Sequence, residues 1–294
     1  MQKIINQKFQ ETYYIKTLKS GLKVIVMPKK PAYTTHVSLM IPFGARNLTY
    51  ELNGHMHTLP EGIAHFFEHK IFASQKGDMF TQFVSYGLDA NAMTGYETTA
   101  YVFSATSHLY EGLNLLFETL NETYFTDENV SKEKDIINEE IQMNNDRLYT
   151  KLFRQLRQNM YHHHPIKTDI LGTKESIETI TKETLQHVYD VFYQEHQRLL
   201  LISGNIDLDE LNDYLNTLPI KTSKKIMPTY VYHDEPKHVV KNHEEVEMTI
   251  AHQMMMYGIK LRRMNEGVLY ESQFLAIQMI MHGIFGPNTD FHQM

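Results

Sequence analysis

The sequence predicts an α+β fold in two layers, with helices packed on one face of an antiparallel sheet. Three observations support this class. Short β-rich runs cluster before residue 44 and again between residues 88 and 105. Stretches with helical periodicity dominate from residue 109 onward. A polar, proline-punctuated segment then precedes a renewed strand pattern, which indicates the start of a second, similar domain.

The predicted strands of the first domain come mainly from its N-terminal third. Residues 11–28, ETYYIKTLKSGLKVIVMP, hold two β-rich runs on either side of Lys-Ser-Gly, and this pattern is typical of a hairpin. Residues 35–43 form a third strand candidate, and residues 88–93 and 99–105 form two more. A buried strand is predicted later, at 198–204.

The predicted helices follow from start signals and periodicity. Pro60 is placed at the start of a helix, where its missing N–H costs nothing. Thr126 is a good N-cap for a long helix that begins at Asp127 and runs to about Met160. Four further helices are predicted at 109–120, 174–179, 182–194 and 207–218.

The predicted domain organisation has three parts. Residues 1–220 form one complete domain, and residues 221–240 form an interdomain linker. Residues 241–294 form an incomplete second domain, with a strand over 246–260 and a helix over 270–283. A segment this short buries too little surface to fold alone. We therefore expect a second chain, or a missing C-terminal half, to complete it.

Composition excludes several classes of protein. The chain has 294 residues, of which 42% are hydrophobic and 21% charged, as in a soluble globular protein. The excess of 35 acidic over 28 basic residues argues against a nucleic-acid-binding surface. The absence of cysteine excludes disulfides, thiolate metal sites and cysteine nucleophiles. No secretory signal or membrane span is recognisable, so we expect a cytoplasmic protein without a membrane partner.

Three ionisable residues stand close together in the apolar segment EGIAHFFEHKIFAS: His65, Glu68 and His69. On a helix, this spacing places all three on one face. Two imidazoles one turn apart can bind one metal ion, and the carboxylate between them can act on a water beside that ion. The order HxxEH is typical of the inverted zinc hydrolases. The alternative is an incidental motif, since 17 residues of the chain are histidines.

A zinc site of this kind needs a third protein ligand, and the segment EKDIINEEIQM at 133–143 supplies acidic candidates. We predict Glu140, because a carboxylate drawn into the interior needs a cation. Its near neighbours on the helix are apolar: Ile136, Ile137, Ile141 and Met143. Glu139 is predicted to face solvent. Glu133, two turns before Glu140 on the same face, is a candidate to orient a histidine from the second shell.

Together these segments resemble the pitrilysin/insulinase zinc peptidases, in particular their bacterial processing-peptidase-like branch. In GIAHFFEHKIF the second histidine precedes Glu140 by 71 residues, as the family pattern requires. Four further segments resemble landmarks of the family and extend the similarity over residues 12–207: KSGLKVIVMP, GLDANAMTGYETTAYVF, HHHPIKTDILGTKESI and RLLLISGNID.

The resemblance implies a role for each candidate residue. His65, His69 and Glu140 are expected to bind one Zn²⁺ per chain, with Glu68 as the general base. Asn91 and Ala92 are expected on an edge strand beside the metal, where a substrate peptide adds by main-chain hydrogen bonds.

The function implied is that of a zinc metalloendopeptidase acting on peptides or unfolded segments. Family members pair this domain with a second of similar fold, or act as two-chain complexes with one active partner. Two other hypotheses remain open: a non-catalytic peptide-binding or scaffolding subunit of such a complex, and a zinc hydrolase acting on small substrates. The intact Glu68 favours catalysis over the first, and the edge strand favours peptides over the second.

Overall fold

A computed structural model describes residues 1–75, 77–218, 226–247, 254–260, 272 and 274–279. The α+β class is confirmed. The strands are β1 Gln2–Asn6, β2 Glu11–Thr17, β3 Lys23–Pro28, β4 Thr35–Ile41, β5 Thr49–Leu52, β6 His55–Thr58, β7 Ala73–Ser74, β8 Gly77–Asp78, β9 Asp89–Thr94, β10 Thr99–Ala105, β11 Leu199–Gly204 and β12 Thr229–Tyr230. The helices are α1 Ile63–Ile71, α2 Met79–Ser85, α3 Leu109–Asn121, α4 Asp127–Asn145, α5 Leu148–Met160, α6 Lys174–Glu178, α7 Lys182–Phe192 and α8 Leu208–Tyr214.

The main sheet has seven strands in the order β1-β2-β3-β11-β4-β10-β9. Neighbouring strands are antiparallel except for β3 and β11, which run parallel because β11 returns between β3 and β4 after the helical segment. The predicted hairpin is the β2–β3 pair, with Tyr14 opposite Val26. At the other end of the sheet, β9 is an edge strand that pairs with β10 alone.

The core lies against one face of this sheet. Along β4 the exposure alternates, and Val37, Leu39 and Ile41 are almost completely buried. Side chains on that face pack against the apolar sides of the helices, including Phe66 and Phe67 of α1. Because successive side chains of a strand point to opposite faces of the sheet, one face of the sheet is buried and the other is partly covered.

Helix α1 begins later than the sequence predicts. Pro60 lies outside the helix, whose N-cap is Gly62 in the left-handed region, with φ 85°. A Cβ added at Gly62 would lie 2.4 Å from the carbonyl oxygen of Leu171, so only glycine permits this close approach. The turn at Gly62 thus aims α1 into the core beside the loop that precedes α6.

The predicted helix from Asp127 to Met160 is two helices. Its start is correct, since the Thr126 side chain accepts a hydrogen bond from the backbone N–H of Asn129 at 3.1 Å. The break falls at Arg147, whose φ and ψ of −84° and 114° are those of extended chain. The preceding residues 144–146, Asn-Asn-Asp, are weak helix formers, which makes this a favourable place for the turn.

Several elements lie outside the sequence predictions. Strands β1, β5 and β6 and helix α2 were not expected, because their short runs lack clear periodicity. In the segment predicted as a strand over 246–260, residues 254–260 form no strand, and 248–253 lie outside the described residues. Residues 274–279 are helical, within the helix predicted over 270–283. No helix in the described ranges combines the length and apolarity needed to cross a bilayer.

The described part of the predicted linker pairs with and hydrogen-bonds to residues of the predicted first domain. Strand β12 pairs with β5, placing Tyr230 opposite Tyr50. Further along, the Glu235 carboxylate accepts hydrogen bonds of 2.7–2.8 Å from the three consecutive backbone N–H groups of residues 162–164. Lys260 donates to the same carboxylate at 2.6 Å. These contacts hold the segment after residue 226 along the end of α5.

Substitution of Gly62 tests whether the close approach to Leu171 positions α1. We expect Gly62→Ala to lower the free energy of unfolding by roughly 3 kcal/mol or more, because strain at positive φ adds to a steric clash. Gly87→Ala is the matched control, since Gly87 also has positive φ but has open space around it. Its expected cost is about 1 kcal/mol. Urea unfolding of both variants measures the difference, and equal costs would show that the contact with Leu171 is unimportant.

Candidate metal centre

Helix α1 brings His65, Glu68 and His69 to one side, as their spacing predicts. The opposite side of the helix is buried, with Phe66 and Phe67 fully covered. Helix α4 packs beside α1 and brings Glu140 toward the two histidines. One oxygen of Glu140 lies 3.7 Å from Nε2 of His65 and 3.9 Å from Nε2 of His69. Within the described part of the chain, these three residues are the group of potential metal ligands, with ligand atoms all within 4.8 Å of one another.

These separations fit a bound cation better than direct contacts. At 3.7 and 3.9 Å the pairs are too far apart for hydrogen bonds. In a tetrahedral zinc site with ligand distances of about 2.1 Å, neighbouring ligand atoms lie roughly 3.4 Å apart. Two nitrogens and one carboxylate oxygen are also the donor set that zinc accepts. The three residues therefore fit a zinc ion by the kind of their donor atoms and by their closeness to one another.

His65 is held in the protonation state that a metal ligand needs. Its burial, together with the nearby His69, lowers its pKa to about 3. The imidazole is consequently neutral at neutral pH, with a lone pair available for a cation. Its Nδ1 has no hydrogen-bond partner among the described residues, so packing alone orients the ring.

His69 is oriented by a hydrogen bond from its other ring nitrogen. Nδ1 lies 2.9 Å from the Glu133 carboxylate, and this bond is the largest factor that raises the pKa of His69. With Nδ1 donating to Glu133, Nε2 is left as the acceptor that faces Glu140. The geometry is the one predicted for Glu133 from its position two turns before Glu140.

The Nζ of Lys70 lies 3.5 Å from the second carboxylate oxygen of Glu133. Its side chain is almost fully buried, although it follows His69 directly in the chain. Burial alone would raise the pKa of Glu133, but the bond from His69 and the charge of Lys70 hold that pKa below its usual value. A role for Lys70 was not predicted from the sequence, where a lysine inside an apolar helical run was the available signal.

Glu68 points into the same space and is held by the edge strand. Thr94 of β9 donates a hydrogen bond of 2.9 Å from Oγ1 to Glu68 Oε2. Burial raises the pKa of Glu68 despite this bond. A carboxylate with a raised pKa is a stronger base, and its fixed orientation suits proton transfer. Thr94 was also missed, although it lies two residues after Ala92 and shares its face of the strand.

The predicted edge position of Asn91 and Ala92 is present in β9. Ala92 lines the cleft, whereas Asn91 is exposed and accepts a hydrogen bond of 2.8 Å from the backbone N–H of Ala92. The cleft has a volume of about 470 Å³ and is bounded by α1 and β9 on one side and by α4 and α5 on the other.

The surroundings of Glu140 differ from the prediction. Ile137 and Ile141 are buried, but Ile136 and Met143 are 45% and 57% exposed. The side chain of Glu140 itself is one-third exposed. Helix α4 lies at the surface, and only a narrow stripe of its side chains is buried. Glu140 lies beside this stripe and faces the two histidines, not the interior. Glu139 is exposed, as predicted.

Comparison with known proteins gives a consistent result. Residues 23–174 match the family model described as insulinase, peptidase family M16. The chain is 32% identical over 293 residues to the uncharacterized zinc protease YmfH of Bacillus subtilis, covering 96% of this chain and 67% of YmfH. It is 27% identical over 212 residues to the mitochondrial-processing peptidase subunit beta of Neurospora crassa, covering 69% of this chain and 43% of that subunit.

A solved structure is similar over nearly the whole chain. It is the crystal structure of a provisionally named M16-like peptidase from Alicyclobacillus acidocaldarius, with a TM-score of 0.80 and 31% sequence identity. The match covers 96% of this chain and 67% of that one. The present chain thus spans about two thirds of the length of its nearer relatives and less than half of the mitochondrial subunit.

Removal of the Glu133 carboxylate tests its effect on His69. At pH 8 we expect Glu133→Gln to weaken zinc binding by about 10- to 100-fold, because His69 loses the partner that orients it. Since the pKa of His69 is raised in the native protein, protons compete with zinc as the pH falls through that raised value. In Glu133→Gln this competition should begin at lower pH.

Chelator competition at several pH values between 8 and 5.5 measures both effects. Glu139→Gln is the control, since Glu139 is an exposed glutamate on the same helix. An affinity and pH dependence in Glu133→Gln equal to those of the control would contradict a role for the His69–Glu133 bond.

Proposed function

The chain belongs to the insulinase family of peptidases, family M16, and on that premise we propose that it is a zinc-dependent metalloendopeptidase acting on peptides or unfolded segments. One observation supports this above all. The candidate ligands His65, His69 and Glu140 meet beside Glu68, a half-buried carboxylate oriented by Thr94, at the open edge of a sheet.

In this proposal His65, His69 and Glu140 would hold one zinc ion per chain beside the cleft. Zinc held in this way supplies two kinds of help, since it acidifies water and polarises a substrate carbonyl. The protein contributes the neutral state of His65 and the orientation of His69 through Glu133.

Glu68 is the proposed proton carrier. Its carboxylate accepts a proton from the attacking water and later returns that proton to the amine that leaves when the peptide bond breaks. Burial raises its pKa, which strengthens it as a base, while the hydrogen bond from Thr94 fixes one oxygen and leaves the other available. The same residue therefore serves both proton transfers without moving to a new partner.

The edge strand β9 is the proposed binding site for the peptide main chain. An extended substrate can add to an open sheet edge by backbone hydrogen bonds, independently of its sequence. Ala92 presents its backbone at this edge, and Asn91 covers the Ala92 N–H until a peptide replaces that contact. Main-chain recognition favours peptides over the small substrates of a simpler hydrolase.

We also propose that a second, similar half or a partner chain completes the substrate chamber. The chain spans about two thirds of YmfH and of the M16-like crystal structure. A relative matched here is a named subunit of the mitochondrial-processing peptidase. The cleft between α1 and β9 on one side and α4 and α5 on the other is open to solvent, and further structure could enclose a peptide there.

A second candidate function is peptide binding without hydrolysis, as a scaffolding subunit of a two-chain complex. The free edge of β9 and its cleft would suffice for that role. The Glu68–Thr94 pair favours hydrolysis, because a binding protein has no need of an oriented base with a raised pKa.

Zinc content tests the ligand assignment. By elemental mass spectrometry we expect about one zinc per chain in the wild-type protein and a large loss in Glu140→Gln, since two histidines alone make a weak site. Glu68→Gln should keep its zinc, because Glu68 is proposed to act on water and not on the metal. A folded wild-type chain without zinc would refute the proposed metal centre.

Peptide cleavage tests the role of Glu68. With a quenched-fluorescence peptide that is unstructured in solution, we expect Glu68→Gln to lower turnover by about 10²- to 10⁴-fold while zinc is retained. The assay uses the chain alone and also with any partner that co-purifies with it. Equal cleavage by wild type and Glu68→Gln would disprove the mechanism, and a complete absence of cleavage with zinc bound would favour the binding function.

A further inference from the structure

The cleft contains an arginine, Arg157, most of whose hydrogen-bond donors have no acceptor among the described residues. Arg157 of α5 has a side chain only 12% exposed. Its Nη1 donates to the hydroxyl of Tyr96. Its Nη2 lies 3.9 Å from the Asp169 carboxylate, which is beyond hydrogen-bond distance. Its Nε has no partner among the described residues.

A second buried arginine, Arg198, differs from Arg157 in the number of hydrogen bonds that its guanidinium makes. Arg198 is fully buried, and its guanidinium makes four hydrogen bonds, to the carbonyl oxygens of Leu120 and Tyr193 and to the side chain of Asn121. Arg198 is therefore a structural residue with its donors satisfied. Arg157 has five N–H donors in a planar fork, of which one has a good acceptor in the described structure. Burial lowers the pKa of Arg157, and the distant Asp169 only partly offsets that effect.

The position of Arg157 connects it to the proposed peptide site. It lines the same cleft as His65, Glu68 and Ala92. Tyr96, to which it donates, follows β9 by two residues, so the guanidinium lies beyond the end of the edge strand. A peptide paired with β9 would pass this point within a few residues of the bond to be cleaved.

A partly exposed aromatic ring borders the guanidinium. The Phe153 ring centroid is 4.8 Å from Arg157 Cζ, and Phe153 is 42% exposed. An arginine fork beside an exposed aromatic ring is suited to a carboxylate carried on an apolar stem.

We propose that Arg157 is a specificity-determining residue that binds a carboxylate of an extended peptide lying along β9, in place of its loose contact with Asp169. The inference rests on the proposed function, since it takes β9 as the peptide site. The carboxylate belongs either to an aspartate or glutamate side chain or to the C-terminus of the peptide. Both present two oxygens that match the guanidinium fork.

The competing explanation is that Arg157 only ties α5 to the loop at 165–172. Tyr96 contributes to such a tie, because its hydroxyl also donates to the carbonyl oxygen of Thr168 at 3.2 Å. Asp169, however, uses Oδ1 to accept from the backbone N–H of Leu171 at 3.1 Å, and only Oδ2 faces Arg157. A structural ion pair would be expected at a shorter distance.

The experiment measures peptide binding in a chain that cannot cleave. Zinc-loaded Glu68→Gln is titrated with fluorescein-labelled, unstructured twelve-residue peptides, and fluorescence anisotropy gives the affinity. One set of peptides places a single Asp at successive positions, each beside the matching Asn peptide. A second set compares free with amidated C-termini. We expect about tenfold tighter binding of the carboxylate form in one of the two sets, and that set identifies the source.

Two further variants test Arg157 itself in the Glu68→Gln background. Arg157→Gln should remove the preference for the carboxylate, whereas Arg154→Gln, a matched arginine on the same helix, should retain it. Asp169→Asn should increase the preference severalfold, because it removes the competing charge but keeps Oδ1 as an acceptor for Leu171. This variant leaves Arg157 in place and therefore tests the idea even if Arg157→Gln does not fold.

Three outcomes would each overturn the proposal: no preference for a carboxylate in either set, an unchanged preference in folded Arg157→Gln, or no increase in Asp169→Asn. Failure of the proposed function is seen in different assays, as absent zinc or as cleavage that does not depend on Glu68.

Discussion

The structure depends on one contact between two helices that are far apart in the chain. The 2.9 Å hydrogen bond between His69 of α1 and Glu133 of α4 spans 64 residues of sequence. It fixes which nitrogen of His69 faces the cleft, and it sets the register of α4 so that Glu140, two turns later, arrives opposite the two histidines. Lys70 balances the charge of Glu133 from the buried side, so a carboxylate can remain ionised where burial alone would protonate it.

The ionisable residues His65, Glu68 and His69 lie close together on α1, but their surroundings shift their pKa values in different ways. His65 is deep and neutral, since its pKa is lowered to about 3, whereas His69 is nearer the surface and its pKa is raised by Glu133. Glu68 faces the cleft beneath Thr94 with a raised pKa. The same helix thus carries two candidate ligands and a candidate base, and the environment of each side chain gives it a different pKa.

The loop at 165–172 connects the two walls of the cleft. Leu171 closes on Gly62 and so determines where α1 begins, while Thr168 and Asp169 contact Tyr96 and Arg157 on the other side. Movement of this loop would alter the direction of α1 and the position of Arg157 together. The loop therefore contacts both the start of α1 and the residues around Arg157.

The sequence by itself determined the features that depend on local spacing. The i, i+3, i+4 pattern placed His65, Glu68 and His69 on one face, Thr126 marked the start of α4, and the alternating runs defined the central strands. Glu140 was preferred over Glu139 correctly as the residue near the histidines, although the reason was incomplete, because half of its apolar neighbours are exposed.

Only the tertiary structure decided which distant residues complete the site. The partners of Lys70, Thr94 and Arg157 could not be read from the sequence, because Glu133, Glu68 and Tyr96 lie on other elements that meet these residues only after folding. The start of α1 at Gly62 has the same kind of origin, in the close approach of Leu171. Local periodicity fixes the face on which a side chain lies, but its partner across the cleft follows from packing between segments far apart in the chain.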